Sequence, residues 1–281
     1  MYSLPVPTRN ALADYDSIVA RRRPLARRGV LVAARPDIAV AYGNYHTSLG
    51  HGDLIQPLAP ASPLKEYLYD NYDSTRGSGN HHDLRDEISA SARDDKCVYC
   101  GCQVADSLDH VLPRAVYPEF SILAENLVPA CTVCNRNKGN SCSQHDGTTI
   151  VHPYFDVFPT SVVLFATVTV TAEAVTWNYY LQTNGGVDPG LFDSLKTLFD
   201  LLRLDVLYRR NTIGEISDRL VLLEEQYEVG GPEQVRDFLL RDSESARRRR
   251  GENYWKAAIL RAFADNPAFC DGGFRLLLGT P

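Results

Sequence analysis

No apolar run in this 281-residue chain is long enough to cross a bilayer, which excludes a helical membrane protein. Positive charge is scarce as well. Lys and Arg number 29 against 35 Asp and Glu, a formal net charge of −6, where a freestanding nucleic-acid binder is expected to be basic. There is no glycine-rich nucleotide loop and no internal repeat, which excludes a self-contained nucleotide hydrolase and a solenoid. No secretory leader is legible, so the 7 cysteines read as thiols in a reducing, cytoplasmic setting rather than as disulfides. The remaining composition is ordinary: 44% hydrophobic and 23% charged residues, enough for one large domain or two small ones.

The cysteines are not scattered. Cys97-Val-Tyr-Cys100 and Cys131-Thr-Val-Cys134 are two Cys-x-x-Cys knuckles, and four thiolates make a closed tetrahedral set for zinc. Such a site has no open position for substrate, so its role is structural and its binding energy is also folding energy. Cys102 and Cys142 lie beside the knuckles as bystanders, and Cys270 reads as an apolar filler. Between the knuckles stands Leu108-Asp109-His110-Val-Leu-Pro113. Asn126-Leu-Val-Pro-Ala leads into the second knuckle, and Asn135-Arg-Asn-Lys138-Gly follows it.

An Asp-His pair alone is more often a surface pair than a catalytic one. In this order, with Pro113, Asn126 and Asn135 around it, the stretch from Lys96 to Gly139 resembles the HNH endonucleases of the ββα-metal superfamily. The branch concerned has its hairpin and helix pinned by two Cys-x-x-Cys pairs. That resemblance implies an α+β fold with a zinc-braced ββα core. It makes Asp109 a metal ligand, His110 the general base, Asn126 the residue that fixes the loop and orients His110, and Asn135 the second metal ligand. Many HNH proteins carry His where this chain has Asn135; a carboxamide keeps an oxygen ligand, which suits Mg²⁺ or Mn²⁺ rather than a soft metal.

Phosphodiester hydrolysis needs an attacking water, charge relief at phosphorus and a stabilised leaving oxygen, and a single divalent ion on Asp109 and Asn135 would supply the last two. A neutral imidazole accepts the water's proton, and an ordinary histidine pKa of ~6.5 permits that at cellular pH. Neighbouring strand residues face opposite ways, so Asp109 and His110 share a centre only where their strand ends; Pro113 fits such an ending. Arg114, Arg136 and Lys138 are candidates for phosphate contacts beside the metal. DNA is the expected substrate, with RNA and a non-catalytic zinc-ribbon binding module as alternatives. The layout also resembles the nuclease halves of bacterial anti-phage systems, where a separate ATPase or sensor licenses cutting. Either the arginine clusters at 21–23, 27–28, 209–210 and 247–250 gather positive charge on one face, or such a partner brings the polyanion.

Around that core three regions are expected: an N-terminal helical or docking region over 1–60, the nuclease core over 61–156, and a β-hairpin with a helical region over 157–281. Leu12, Tyr15, Ile18 and Val19 predict a short helix ending in the arginine run, and Pro57 to Pro63 reads as a linker. Leu64, Tyr67 and Leu68 predict a second helix, Ser74 to Asn80 a Gly/Ser loop, and Leu84 to Ile88 a third helix, with His81 and His82 solvated. His152-Pro-Tyr-Phe-Asp156 is expected to pack on the metal core with Tyr154 and Phe155 buried. Ser161 to Thr171 and Val175 to Leu181 alternate as two paired strands serving as scaffold. Leu191 to Leu202, Ile216 to Tyr227, a helix opened by Gly231-Pro232, and Trp255 to Phe263 complete the helical part.

Overall fold

In the computed structural model, which describes residues 1–76 and 81–277, the chain is α+β and divides after Val157 into two compact units. The N-terminal unit begins with α1 (Ala11–Ala20), opened by Asn10, whose side chain accepts from the Ala13 amide. Then comes α2 (Leu25–Thr47), a 23-residue helix that continues through Pro36. It buries Leu31, Ile38, Tyr42 and Tyr45, a stripe at helical spacing hidden in the sequence by Gly29, Pro36 and Gly43. The short helices α3 (Leu64–Tyr69) and α4 (His82–Ala90) follow where the apolar spacing predicts them. Residues 77–80 of the expected Gly/Ser loop lie outside the described residues.

The nuclease-like core is a hairpin and a helix. Strands β1 (Ser107–His110) and β2 (Leu127–Ala130) pair antiparallel with Asp109 opposite Val128 and His110 opposite Leu127. Helix α5 (Thr132–Lys138) starts directly after β2, and α6 (Ser143–Asp146) is a single turn beyond it. Residues of 1–60 belong to the same compact unit as the knuckles. The Tyr2 amide bonds to the Val98 carbonyl, the Leu4 amide to that of Pro153, and Tyr15, Ile38 and Tyr45 share one apolar core with Leu108, Phe120 and Leu127. The proline-rich stretch at 57–63 is thus a connection inside a packed unit.

In the second unit β3 (Leu164–Val170) and β4 (Val175–Leu181) pair from Leu164–Leu181 to Val170–Val175. Trp177 packs edge-on against Phe263 and Tyr179 bonds Thr212, so these aromatics serve as scaffold. Helix α7 (Pro189–Leu201) is capped by Asp188. The spacing from Ile216 to Tyr227 predicts one helix, but Ile216 closes α8 (Leu204–Ser217) and Leu220 opens α9 (Leu220–Arg250) after a turn at Asp218 and Arg219. Within α9 the backbone leaves helical geometry at Gly230 and Gly231 (φ 64°), and Pro232 restarts it. Finally α10 (Trp255–Ala264) and α11 (Pro267–Cys270) bury Trp255, Phe263, Phe269 and Cys270. Among the described residues no helix is long and apolar enough to cross a membrane.

One turn of the N-terminal unit admits only glycine. Gly50 follows α2 at φ +70°, and a Cβ there would stand 2.6 Å from the His152 ring and 2.9 Å from the Tyr45 hydroxyl. Gly50→Ala is therefore expected to lower unfolding free energy by about 2 kcal/mol or more in urea titration.

Candidate nuclease centre

Cys97, Cys100, Cys131 and Cys134 are buried, and their sulfurs lie within 4.8 Å of one another. Sulfurs on a tetrahedral zinc at ~2.3 Å stand about 3.8 Å apart. Cys100 and Cys131 are separated by 4.0 Å, so the set can hold a zinc ion. Backbone bonds shape both knuckles: the Gly101 amide donates to the Cys97 carbonyl, and the Asn135 amide donates to that of Cys131. Val98 in turn bonds to Pro129, which ties the first knuckle to β2 just ahead of the second.

The Asp-His pair sits at the end of β1, as the spacing requires. Asp109 is 3% exposed. Its Oδ2 accepts from the Tyr99 hydroxyl at 2.7 Å and lies 3.2 Å from Lys138 Nζ. Burial raises its carboxyl above the usual range, opposed by the Lys138 ammonium and the Tyr99 hydrogen bond. His110 Nε2 lies 2.9 Å from the Ser121 carbonyl oxygen. A carbonyl only accepts, so Nε2 carries the proton and the neutral ring presents Nδ1 as its acceptor. Burial holds His110 down at about 3, helped by the nearby charges of Arg114, Lys138 and Arg76.

Asn126 is wholly buried and uses its full hydrogen-bonding capacity. Its Oδ1 accepts from the Leu112 amide at 2.8 Å and the Tyr45 hydroxyl at 3.1 Å. Its Nδ2 donates to the carbonyls of Leu112 and Phe120 at 3.0 and 3.2 Å. The loop leaving β1 is thereby pinned two residues after His110 and again just before Ser121, the group on which His110 leans. Asn135 lies on α5 with Nδ2 donating to the Leu108 carbonyl at 3.1 Å and to Ser107 Oγ at 3.3 Å. Its Oδ1 takes no hydrogen bond among the described residues. One turn on, Lys138 donates to the His110 carbonyl at 2.6 Å. Thus α5 runs along β1, with Asn135 bonded to Ser107 and Leu108 and Lys138 to Asp109 and His110.

The three basic candidates have different surroundings. Arg136 is exposed on α5. Lys138, expected near the surface, is 1% exposed and faces Asp109 from inside, because the α5 residues one turn apart share the face packed on β1. Arg114 stacks 4.0 Å over Tyr69 and donates to the Tyr69 carbonyl. His81, expected in solvent, is buried, and burial lowers its pKa; His82 is exposed at the start of α4.

Other side chains complete the arrangement without a motif to announce them. Tyr72 places its ring 4.6 Å from that of His110, edge to face. Tyr45, brought from α2, links Asn126 to His152: Nδ1 of His152 accepts from the Tyr154 amide, so Nε2 donates to the Tyr45 hydroxyl at 2.9 Å. Tyr154 is buried and bonds the Leu127 carbonyl at 2.7 Å, while Phe155, expected to be buried, is half-buried and packs against the core, so the His-Pro-Tyr-Phe-Asp element does rest on the hairpin. The helical spacing that ends at Tyr42 and Tyr45 was the one available signal for this link.

The site is thus a ββα unit with four clustered cysteines, an Asp-His pair at the end of β1 and an asparagine on α5, the layout of an HNH-type nuclease. The comparison with known families agrees: residues 97–141 match the HNH endonuclease family, so the chain carries an HNH domain. Protein ea31 of Escherichia phage lambda is similar, 37% identical over 95 residues, which cover 32% of this chain and 31% of that protein. Septu protein PtuB of Bacillus thuringiensis is 32% identical over 75 residues, 25% of this chain and 28% of that protein. The match therefore spans about a third of the length of either relative. No solved structure matches the chain.

Two outcomes follow. Metal analysis is expected to give one zinc per chain, and Cys131→Ser to lower both zinc content and stability, the latter by about 3 kcal/mol or more. His152 is held by burial at about 3, opposed by Asp156 and reinforced by His51. Its unfolded value is about 6.5, so between those values the unfolded chain binds more protons. The stability it contributes is complete above pH 6.5 and is lost as pH falls toward 3. Urea titrations at pH 7 and 5 are expected to differ less for His152→Gln than for the wild type, by about 1 kcal/mol per pH unit.

Proposed function

We propose that the chain is a metal-dependent endonuclease that hydrolyses phosphodiester bonds in DNA, with His110 as general base. The observation that carries this reading is the fixed tautomer of His110: Nε2–H is committed to the Ser121 carbonyl, and Nδ1 is left to take a proton. In the proposed step water loses that proton to Nδ1 as its oxygen bonds to phosphorus. The bond to the 3′ oxygen breaks, and the leaving alkoxide is protonated from solvent.

Asp109 and Asn135 would hold Mg²⁺ or Mn²⁺, and their donor set fits a hard cation: a carboxylate, and a carboxamide whose Oδ1 takes no hydrogen bond among the described residues. Bound there, the ion supplies Lewis-acid charge relief at the phosphate. Asn126 fixes the loop that positions His110 and Ser121. Arg136 is proposed to touch the nucleic acid from the exposed face of α5. Lys138 serves inside, holding Asp109 and the His110 carbonyl. Septu protein PtuB carries a system name, and by resemblance this chain acts as a defence effector whose cutting is licensed by a separate ATPase or sensor protein.

The test is plasmid and RNA digestion with Mg²⁺ or Mn²⁺, with the chain alone and with proteins that co-purify with it. His110→Ala is expected to cut DNA 10²–10⁴-fold more slowly at unchanged zinc content. Equal cutting by variant and wild type would remove His110 as the base, and preferential loss of RNA would reassign the substrate.

A further inference from the structure

An acidic chain that handles a polyanion must concentrate positive charge somewhere, and the fold concentrates it around Tyr72. Three guanidinium groups converge on that ring. Arg76 lies over its face at 5.0 Å and Arg114 at 4.9 Å, while Arg85 Nη1 approaches its hydroxyl at 3.5 Å. Among the described residues, Asp73 is the only carboxylate within 4.0 Å of the three; it serves Arg114 at 3.5 Å and Arg76 at 4.0 Å. Arg85 has no acidic partner among the described residues. Three cations with one anion leave a local surplus in a chain whose net charge is −6.

The surplus opens onto the chemistry. Tyr72, Arg76 and Arg85 line a cleft with Ser107, Leu108 and Asn135, so the proposed metal ligand on α5 forms part of the same wall. The same Tyr72 ring packs edge to face on His110. Arg76 has a side chain 56% exposed and is free to reach a ligand, whereas Arg114 is held at 17% by Tyr69 and Asp73. Neither Arg76 nor Arg85 falls within residues 97–141, the HNH match; they come from the connection after α3 and from α4.

We infer that Arg76 and Arg85 form a phosphate-binding subsite in this cleft, which holds a backbone phosphate of the DNA strand next to the one presented to His110. Arg114 steadies the platform from behind by stacking on Tyr69 and Tyr72. Guanidinium forks suit phosphate oxygens, and a phosphate here would relieve the repulsion among the three charges. The subsite reads no bases, so it strengthens binding to every sequence alike. This rests on the nuclease reading, whose own test is loss of cutting in His110→Ala.

The experiment measures binding rather than cutting, which keeps the two apart. In the full-length His110→Ala background, affinity for a fluorescent 30-base-pair DNA duplex is measured between 50 and 200 mM salt. Arg76→Ala and Arg85→Ala are each expected to weaken binding about tenfold at low salt and to reduce the slope of log K against log salt by about 0.9. Arg85→Lys, which keeps the charge but loses the fork, is expected to retain the slope with a smaller loss of affinity. Zinc content and thermal midpoint show that each variant is folded. With His110 intact, the alanine variants are expected to raise KM more than they lower kcat. An unchanged affinity and slope in the Arg76→Ala/Arg85→Ala double variant would overturn the assignment, as would a parent protein that binds no duplex at all. Continued cutting by His110→Ala, with the slopes still reduced, would overturn the base and leave the subsite standing.

Discussion

One carboxamide sets the geometry on which the hairpin end depends. Asn126 lies just before β2 and faces a loop whose only regular structure is two short 3₁₀ turns, yet that loop must carry both the exit from His110 and the Ser121 carbonyl. Four hydrogen bonds to a single side chain solve this, since they tie the amide and carbonyl of Leu112, the carbonyl of Phe120 and the hydroxyl of Tyr45 to one rigid plane. An aspartate could not donate here, and a leucine would leave buried backbone groups unpaired at a cost of about 1–3 kcal/mol each. The tautomer of His110 follows from the same constraint, because the loop determines where the Ser121 oxygen sits.

Much of this was legible in the residues. The paired knuckles marked the sulfur cluster, because thiolate geometry restricts spacing tightly enough to be read along the chain. Strand alternation foretold the C-terminal hairpin, and Gly231-Pro232 marked where the helix resumes within α9. What stayed hidden depends on tertiary packing. Helix α2 contains Pro36 and two glycines, and it persists because Leu31, Ile38 and Tyr45 are buried along one side. Tyr72 and Arg85 carry no motif; their position beside His110 exists only once α4 and the turn before it have folded against β1. Lys138 looked like a surface cation because it ends a polar helix, whereas the pitch of α5 turns it inward.

The domain match covers only the knuckles and what they bracket, but the centre itself reaches further. Tyr45 comes from α2, Tyr72 from the segment after α3, and His152 from beyond the knuckles, and each touches either Asn126, His110 or the link between them. The ββα element carries Asp109, His110 and Asn135, and the segments around it pack against them. Residues 2–60 belong to that support, with Tyr2 and Leu4 hydrogen-bonded to Val98 and Pro153. Net charge alone is a poor guide to local charge, since Arg76, Arg85 and Arg114 gather around one ring in a chain of net charge −6.

Lys138 has a consequence for how Asp109 comes to be enclosed. Its ammonium neutralises Asp109 within the folded core, so that carboxylate can be enclosed with a counter-ion built into the polypeptide. The sulfur cluster has no such internal substitute, as its ligands are four clustered cysteines. Enclosing Asp109 therefore calls for no added cation, whereas the four buried thiols form a set that could hold one.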